Sequence, residues 1–173
     1  MNVKRGYLDT STNISEYWPS SKGLEHYLLE PKDIVIQMDG ALIGKSYAKV
    51  NSKDLPALLV QRVARVRSNN VEIEFIYQYI HRDFLRHISG IKTETAVPHL
   101  SLNDIRDFTI FLPEKQEQTS IGNFFQNLDE SIDLQEKKFA QTQNLKKAML
   151  EKMFPKVGSM QPEIRLKGFS GDW

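Results

Sequence analysis

A chain of 173 residues can bury one core of ordinary size with an extension, or two small cores, and no more. It has no cysteine, which excludes disulfides and thiolate metal sites. Lys plus Arg number 23 against 22 Asp plus Glu, split 14 to 13 over residues 1 to 112 and 9 to 9 beyond, so a broadly basic surface is excluded and any nucleic-acid contact must be a local patch.

The N-terminus lacks the basic-then-apolar pattern of a secretory signal, and no apolar run is long enough to span a bilayer, so the chain reads as soluble and cytoplasmic with no membrane partner. The first segment mixes cations with amide and aromatic groups at Lys4, Arg5, Asn13, Tyr17 and Trp18, a mixture suited to phosphates and base edges. Asp33 to Met38 (D-I-V-I-Q-M) predicts a strand. Asp39-Gly40 followed by Gly44 signals a reversal, with return through Ser46 to Val50. Gly40 to Ser46 also looks like a phosphate-binding loop, but it has three residues between its glycines where that loop needs four. One fewer N–H changes the curl, and the residues after Ser46, Tyr-Ala-Lys-Val, read as a strand rather than a helix. Leu58 to Arg67 alternates in its second half and predicts another strand.

From Val71 to His87, apolar residues at Ile73, Phe75, Ile76, Tyr79, Ile80, Phe84, Leu85 and Ile88 recur at helical spacing. Thr93 to His99 reads as a polar loop, Ser101 to Asp104 as the cap of a brief turn, and Phe108 to Leu112 as a strand ended by Pro113. A helix then runs from about Glu114 to Phe154. Roughly forty residues at 1.5 Å each make a rod of about 60 Å, too long for its own propensity or for a small domain to stabilise. Its apolar residues Ile121, Phe125, Leu128, Ile132, Phe139, Leu145, Met149 and Met153 form a seam suited to a partner helix. Gln135 and Thr142 interrupt that seam in the way that specifies register. The competing reading is an amphipathic helix folded back on its own domain, and Gly122-Asn123 offers a point where the rod could break in two.

Catalytic patterns are missing: there is no nucleophile elbow, no His-Glu-x-x-His and no dinucleotide fingerprint. His26, His81, His87 and His99 match no metal spacing, and neither a metal nor a cofactor is expected. The pattern points to a binding module, with DNA-contact candidates Arg5, Asn13, Tyr17, Lys45, Tyr47, Arg62, Lys92, Thr93 and His99. Ser46, Lys49, Arg65, Arg67 and Thr95 are further possibilities from the same segments.

Taken in order, D-I-V-I-Q-M-D-G-A-L-I-G, L-V-Q-R-V-A-R-V-R, H-L-S-L-N-D-I-R-D-F-T-I-F-L-P, E-Q-T-S-I-G-N-F-F and the closing P-E-I-R-L-K-G-F-S-G-D-W resemble one repeat of the specificity subunit of type I restriction-modification systems. The resemblance implies an α+β fold. Residues 1 to 112 would be a mixed α/β target-recognition domain, 113 to 155 a helical spacer and dimerisation arm, and 156 to 173 a tail like the start of a following repeat. It also implies a non-catalytic role. The partners implied are double-stranded DNA, an adenine-methylating modification subunit, a restriction/translocase subunit and, through the long helix, a second copy or another specificity half. The repeat is cut at an unusual place: Phe169 to Trp173 resembles an opening, whereas Met1 begins inside the recognition domain. A half-length subunit, a truncated copy and a fragment are all expected forms of such a chain. The reading from another functional class is a helical interaction protein with a protein-binding head; a nucleotide hydrolase is the third.

Overall fold

The computed structural model describes residues 2–10, 17–40, 42–90 and 99–173. The chain divides into two compact units, Met1–Phe125 and Gln126–Trp173.

In the first unit, β1 (Asn2–Val3) and β2 (Leu8–Asp9) form a short hairpin. A three-stranded antiparallel sheet comes next in the order β4-β3-β5, with β3 Ile34–Gln37, β4 Tyr47–Lys49 and β5 Val63–Val66. β3 opens with the apolar run Ile34-Val35-Ile36 because, as the central strand, it is covered on both faces. Ile34 and Ile36 face one cluster with Met38, Ala64, Ile76, Ile80, Phe84 and Leu100, while Val35 faces the other with Val3, Leu8, Leu29, Ala48 and Val50. The expected strand over Leu58 to Arg67 is shorter than its pattern. Leu58 makes only an isolated bridge to Leu28, and Arg62 turns through a left-handed φ of 62°, so regular pairing begins at Val63.

The helical expectation over Val71 to His87 holds with an interruption. Helix α1 (Ile73–Tyr79) passes through a π turn at Ile80–Phe84 into α2 (Leu85–Ser89). The buried residues Ile76, Ile80, Phe84 and Ile88 are four apart, a spacing that drifts around a 3.6-residue helix, and a wider turn keeps them on one face. Ser101 caps α3 (Leu102–Arg106) by accepting from the Asp104 N–H at 3.1 Å, and the Asp104 carboxylate accepts the Ser101 N–H at 2.6 Å. This bonding holds the Asp104 carboxyl below the usual aspartate range.

The strand expected at Phe108 to Leu112 is not one. Among the described residues the segment joins no sheet: Phe108 and Ile110 pack on the helix-side core while Phe111 and Leu112 are exposed, so its alternation reflects packing of an extended chain rather than a ladder. Helix α4 runs unbroken from Lys115 to Met153, and Gly122 marks no break. A Cβ there would lie 2.9 Å from Glu74 Cβ and 3.2 Å from the Phe75 nitrogen, so the glycine permits close approach to α1.

In the second unit, the remainder of α4 carries a looped tail. The Ile164 N–H donates to the Lys152 carbonyl at 2.9 Å, Trp173 packs edge-on against Phe154 at 5.5 Å between centroids, and the Trp173 N–H donates to the Met160 carbonyl. Lys156 pairs with Glu163. No helix among the described residues is long and apolar enough to cross a membrane.

Candidate nucleic-acid interface

An antiparallel three-stranded sheet brings the end of its middle strand beside the starts of both neighbours. Gln37 pairs with Val63 and Ile36 with Tyr47, so the turns carrying Asp39, Lys45 and Arg62 converge at one end of the sheet. Gln37 Nε2 donates to the Asp39 carbonyl at 3.0 Å, and the Asp39 carboxylate accepts from Arg62 at 2.5 Å. His99 arrives at the same place: it bridges Asp39, and the Leu100 N–H donates to the Met38 carbonyl at 2.7 Å. Lys45 is exposed in the β3–β4 turn. Gly44 supports that turn with φ 68° and packs so tightly that a Cβ would meet Ile88 Cδ1 at 1.7 Å.

Arg5 joins them through the β1–β2 turn, because the Gly6 N–H donates to the Tyr47 carbonyl at 2.8 Å. Arg5 is exposed. Tyr47 itself is 3% exposed and so is not a surface group. Its hydroxyl lies 2.8 Å from His81 Nδ1; burial pushes its pKa up, and the Arg5 cation opposes that shift. Its place is in the core at the sheet end, where it contacts His81.

Arg5, Lys45, Arg62 and His99 are therefore brought together, with Tyr47 below them. Tyr17 is not. It lies 80% exposed with Trp18 on a groove of about 610 Å³ lined by Leu28, Leu55, Pro56, Leu58 and Val60, which shares no lining residue with the sheet end. Asn13, Lys92, Thr93 and Thr95 lie outside the described residues, the last three in the segment that runs into His99.

Other candidate cations serve the fold. Arg67 makes a two-pronged pair with the buried carboxylate of Asp33, at 2.6 Å from both Nε and NH2, and also reaches Glu30. Arg65 donates to the carbonyls of His26 and Leu28. Lys49 pairs with Glu74 at 2.5 Å and lies over the Tyr77 ring. Sequence reasoning missed Asp39 as the anchor of Arg62 and His81 as the partner of Tyr47. Asp39 was legible only as a turn residue, and the separation of 34 positions between Tyr47 and His81 left no local signal. Among the described residues no cluster of His, Asp or Glu could hold a metal.

The seam of α4 divides. Ile121 is half-buried in the first unit, Phe125 is exposed there, and Phe124, which the seam omitted, is exposed beside it. In the second unit Leu128, Ile132, Phe139 and Leu145 are each 44% or more exposed, and Met149 is half-buried.

A family model described as the type I restriction modification DNA specificity domain matches residues 21–147. The specificity subunit of type I restriction enzyme EcoAI from Escherichia coli is 33% identical over 104 residues, covering 57% of this chain and 18% of that protein. The match thus spans under a fifth of the relative's own length.

Proposed function

The chain belongs to the family of type I restriction-modification DNA specificity domains, and on that premise we propose that its head reads one half of a bipartite DNA site while its long helix pairs with a second specificity half. The observation that carries the reading is the gathering of Arg5, Lys45, Arg62 and His99 at one end of the sheet. Arg62 and Lys45 supply phosphate contacts, and Asp39 holds the Arg62 guanidinium in place. His99 and the neighbouring loop residues approach base edges. In this reading residues 1–112 are the recognition domain, 113–155 the arm and 156–173 a tail like the start of another repeat.

The chain acts as a recognition component, not as a catalyst. It directs an adenine-methylating subunit, and through that complex a translocating endonuclease subunit, to the site. The row of exposed apolar residues Leu128, Ile132, Phe139 and Leu145 on one continuous helix supports pairing with a second copy, antiparallel and two-fold, because that arrangement buries the seam of both chains and closes on itself.

The test is binding to duplexes selected from a random library, measured across a salt series. Specific binding whose log affinity falls linearly with log salt supports the reading, since each neutralised phosphate releases counterions. A head that binds no duplex, alone or with a modification subunit, overturns it in favour of a protein-binding head.

A further inference from the structure

Gln118, in the first turn of α4, is 5% exposed and uses both ends of its amide. Nε2 donates to the Pro113 carbonyl at 2.8 Å, and Oε1 accepts the Glu72 N–H at 3.1 Å. Glu72 directly precedes α1, so the Oε1 bond joins the start of α4 to the start of α1, while the Nε2 bond ties the same side chain to the segment that leads into α4. One turn on, the buried Gly122 lies against Glu74 and Phe75 at a distance that admits no Cβ. Glu74 is in turn held by Lys49 of β4, the strand that leads back to the Lys45 turn. An amide satisfied at both ends is compatible with one rotation of the helix about its axis, and a glycine contact sets one closest approach. Both residues are buried in the head, so neither is free to touch DNA or a second helix.

We propose that Gln118 and Gly122 are positioning residues for half-site spacing: they set the angle and rotation at which α4 departs from the head. The inference rests on the two-headed reading above. Successive base pairs rise about 3.4 Å and turn the duplex through roughly a tenth of a revolution, so a small change in departure angle moves a head to a different base pair. Specificity for spacer length would then depend on buried residues that contact no nucleic acid.

The experiment is selection from a duplex library with two randomised half-sites and a spacer varied one base pair at a time. It is run on the full chain with its modification subunit, for the unaltered protein and for Gln118→Ala and Gly122→Ala. The expected result is that both variants select the same half-site while the preferred spacer shifts by at least one base pair or broadens to include its neighbours. An unchanged spacer optimum in folded variants overturns the proposal. So does an equal loss of affinity at every spacer, which is the mark of a purely structural role. Should Gln118→Ala fail to fold by circular dichroism, Gln118→Met decides by the same criterion, since it keeps the buried volume while losing the bonds toward both Glu72 and Pro113. Absence of any spacer preference in the unaltered protein would instead refute the two-headed reading, so the two failures are distinguishable.

Discussion

Four surface residues at one sheet end invite a division of labour that single substitutions can separate. Arg62 is held by Asp39 yet two-thirds exposed, as a phosphate ligand should be. Arg62→Ala is expected to weaken binding to all duplexes alike and to flatten the slope of log affinity against log salt by about one. His99→Ala is expected to cost about 1–3 kcal/mol on the selected half-site and little elsewhere. Anisotropy titrations on selected and scrambled duplexes across a salt series check both, and indistinguishable profiles would count against the division. Gly44 concerns stability. Its φ of 68° disfavours any side chain, and a Cβ would drive into Ile88, itself buried under the sheet. Gly44→Ala is expected to destabilise the head by roughly 2–4 kcal/mol, combining backbone strain with overpacking, as measured by urea unfolding.

At the scale of elements, α4 shows why a long helical pattern needs more than its own period to be interpreted. In the first unit its opening turns are fastened to α1 through Gln118 and Gly122; in the second its apolar residues face solvent. Propensity alone stabilises a helix little, most of the stability coming from packing of an apolar face, and the exposed Leu128, Ile132, Phe139 and Leu145 leave that face unpacked, so the seam asks for a partner. Ile132→Asp with Phe139→Asp places charges at the middle of that seam and is expected to convert a two-fold dimer into monomers with the head still folded. Light scattering at tens of micromolar, roughly the range where a weak pairing is lost, together with circular dichroism, reads the outcome. An unmodified protein that is already monomeric would point to another chain as the natural partner of the helix.

For the whole assembly, identical heads joined by a two-fold axis must read identical half-sites in inverted orientation, separated by base pairs that neither head touches. Deleting seven residues between Leu134 and Lys147 removes about two turns, preserves the phase of the seam and shortens the helix by roughly 10 Å. The half-site sequence is expected to persist while the spacer shrinks by about three base pairs, at roughly 3.4 Å each. Methylation of plasmid DNA by the reconstituted complex would report both. A contiguous or asymmetric motif, from a complex containing this chain as its sole specificity component, would rule out the symmetric arrangement.

Several features were determined by the order of residues alone. D-I-V-I-Q-M reads as a strand, Asp39-Gly40 as a reversal, S-L-N-D as the cap of a brief turn and about Glu114 to Phe154 as a helix, because each depends on forces acting over a few neighbouring positions, and β3, α3 and α4 form there. Tertiary structure decided everything that depended on partners distant in sequence. It turned Arg65, Arg67 and Lys49 inward to carbonyls and carboxylates, buried Tyr47 against His81, and left Phe108 to Leu112 without a neighbouring strand among the described residues. It also made Gly122 a point of close packing where the sequence suggested a break. A cation looks the same in sequence whether it meets a phosphate or an aspartate. Only the fold, by bringing Asp33 to Arg67 and leaving Lys45 in solvent, distinguishes the two, since the pairing energy depends on a distance that the chain order does not contain.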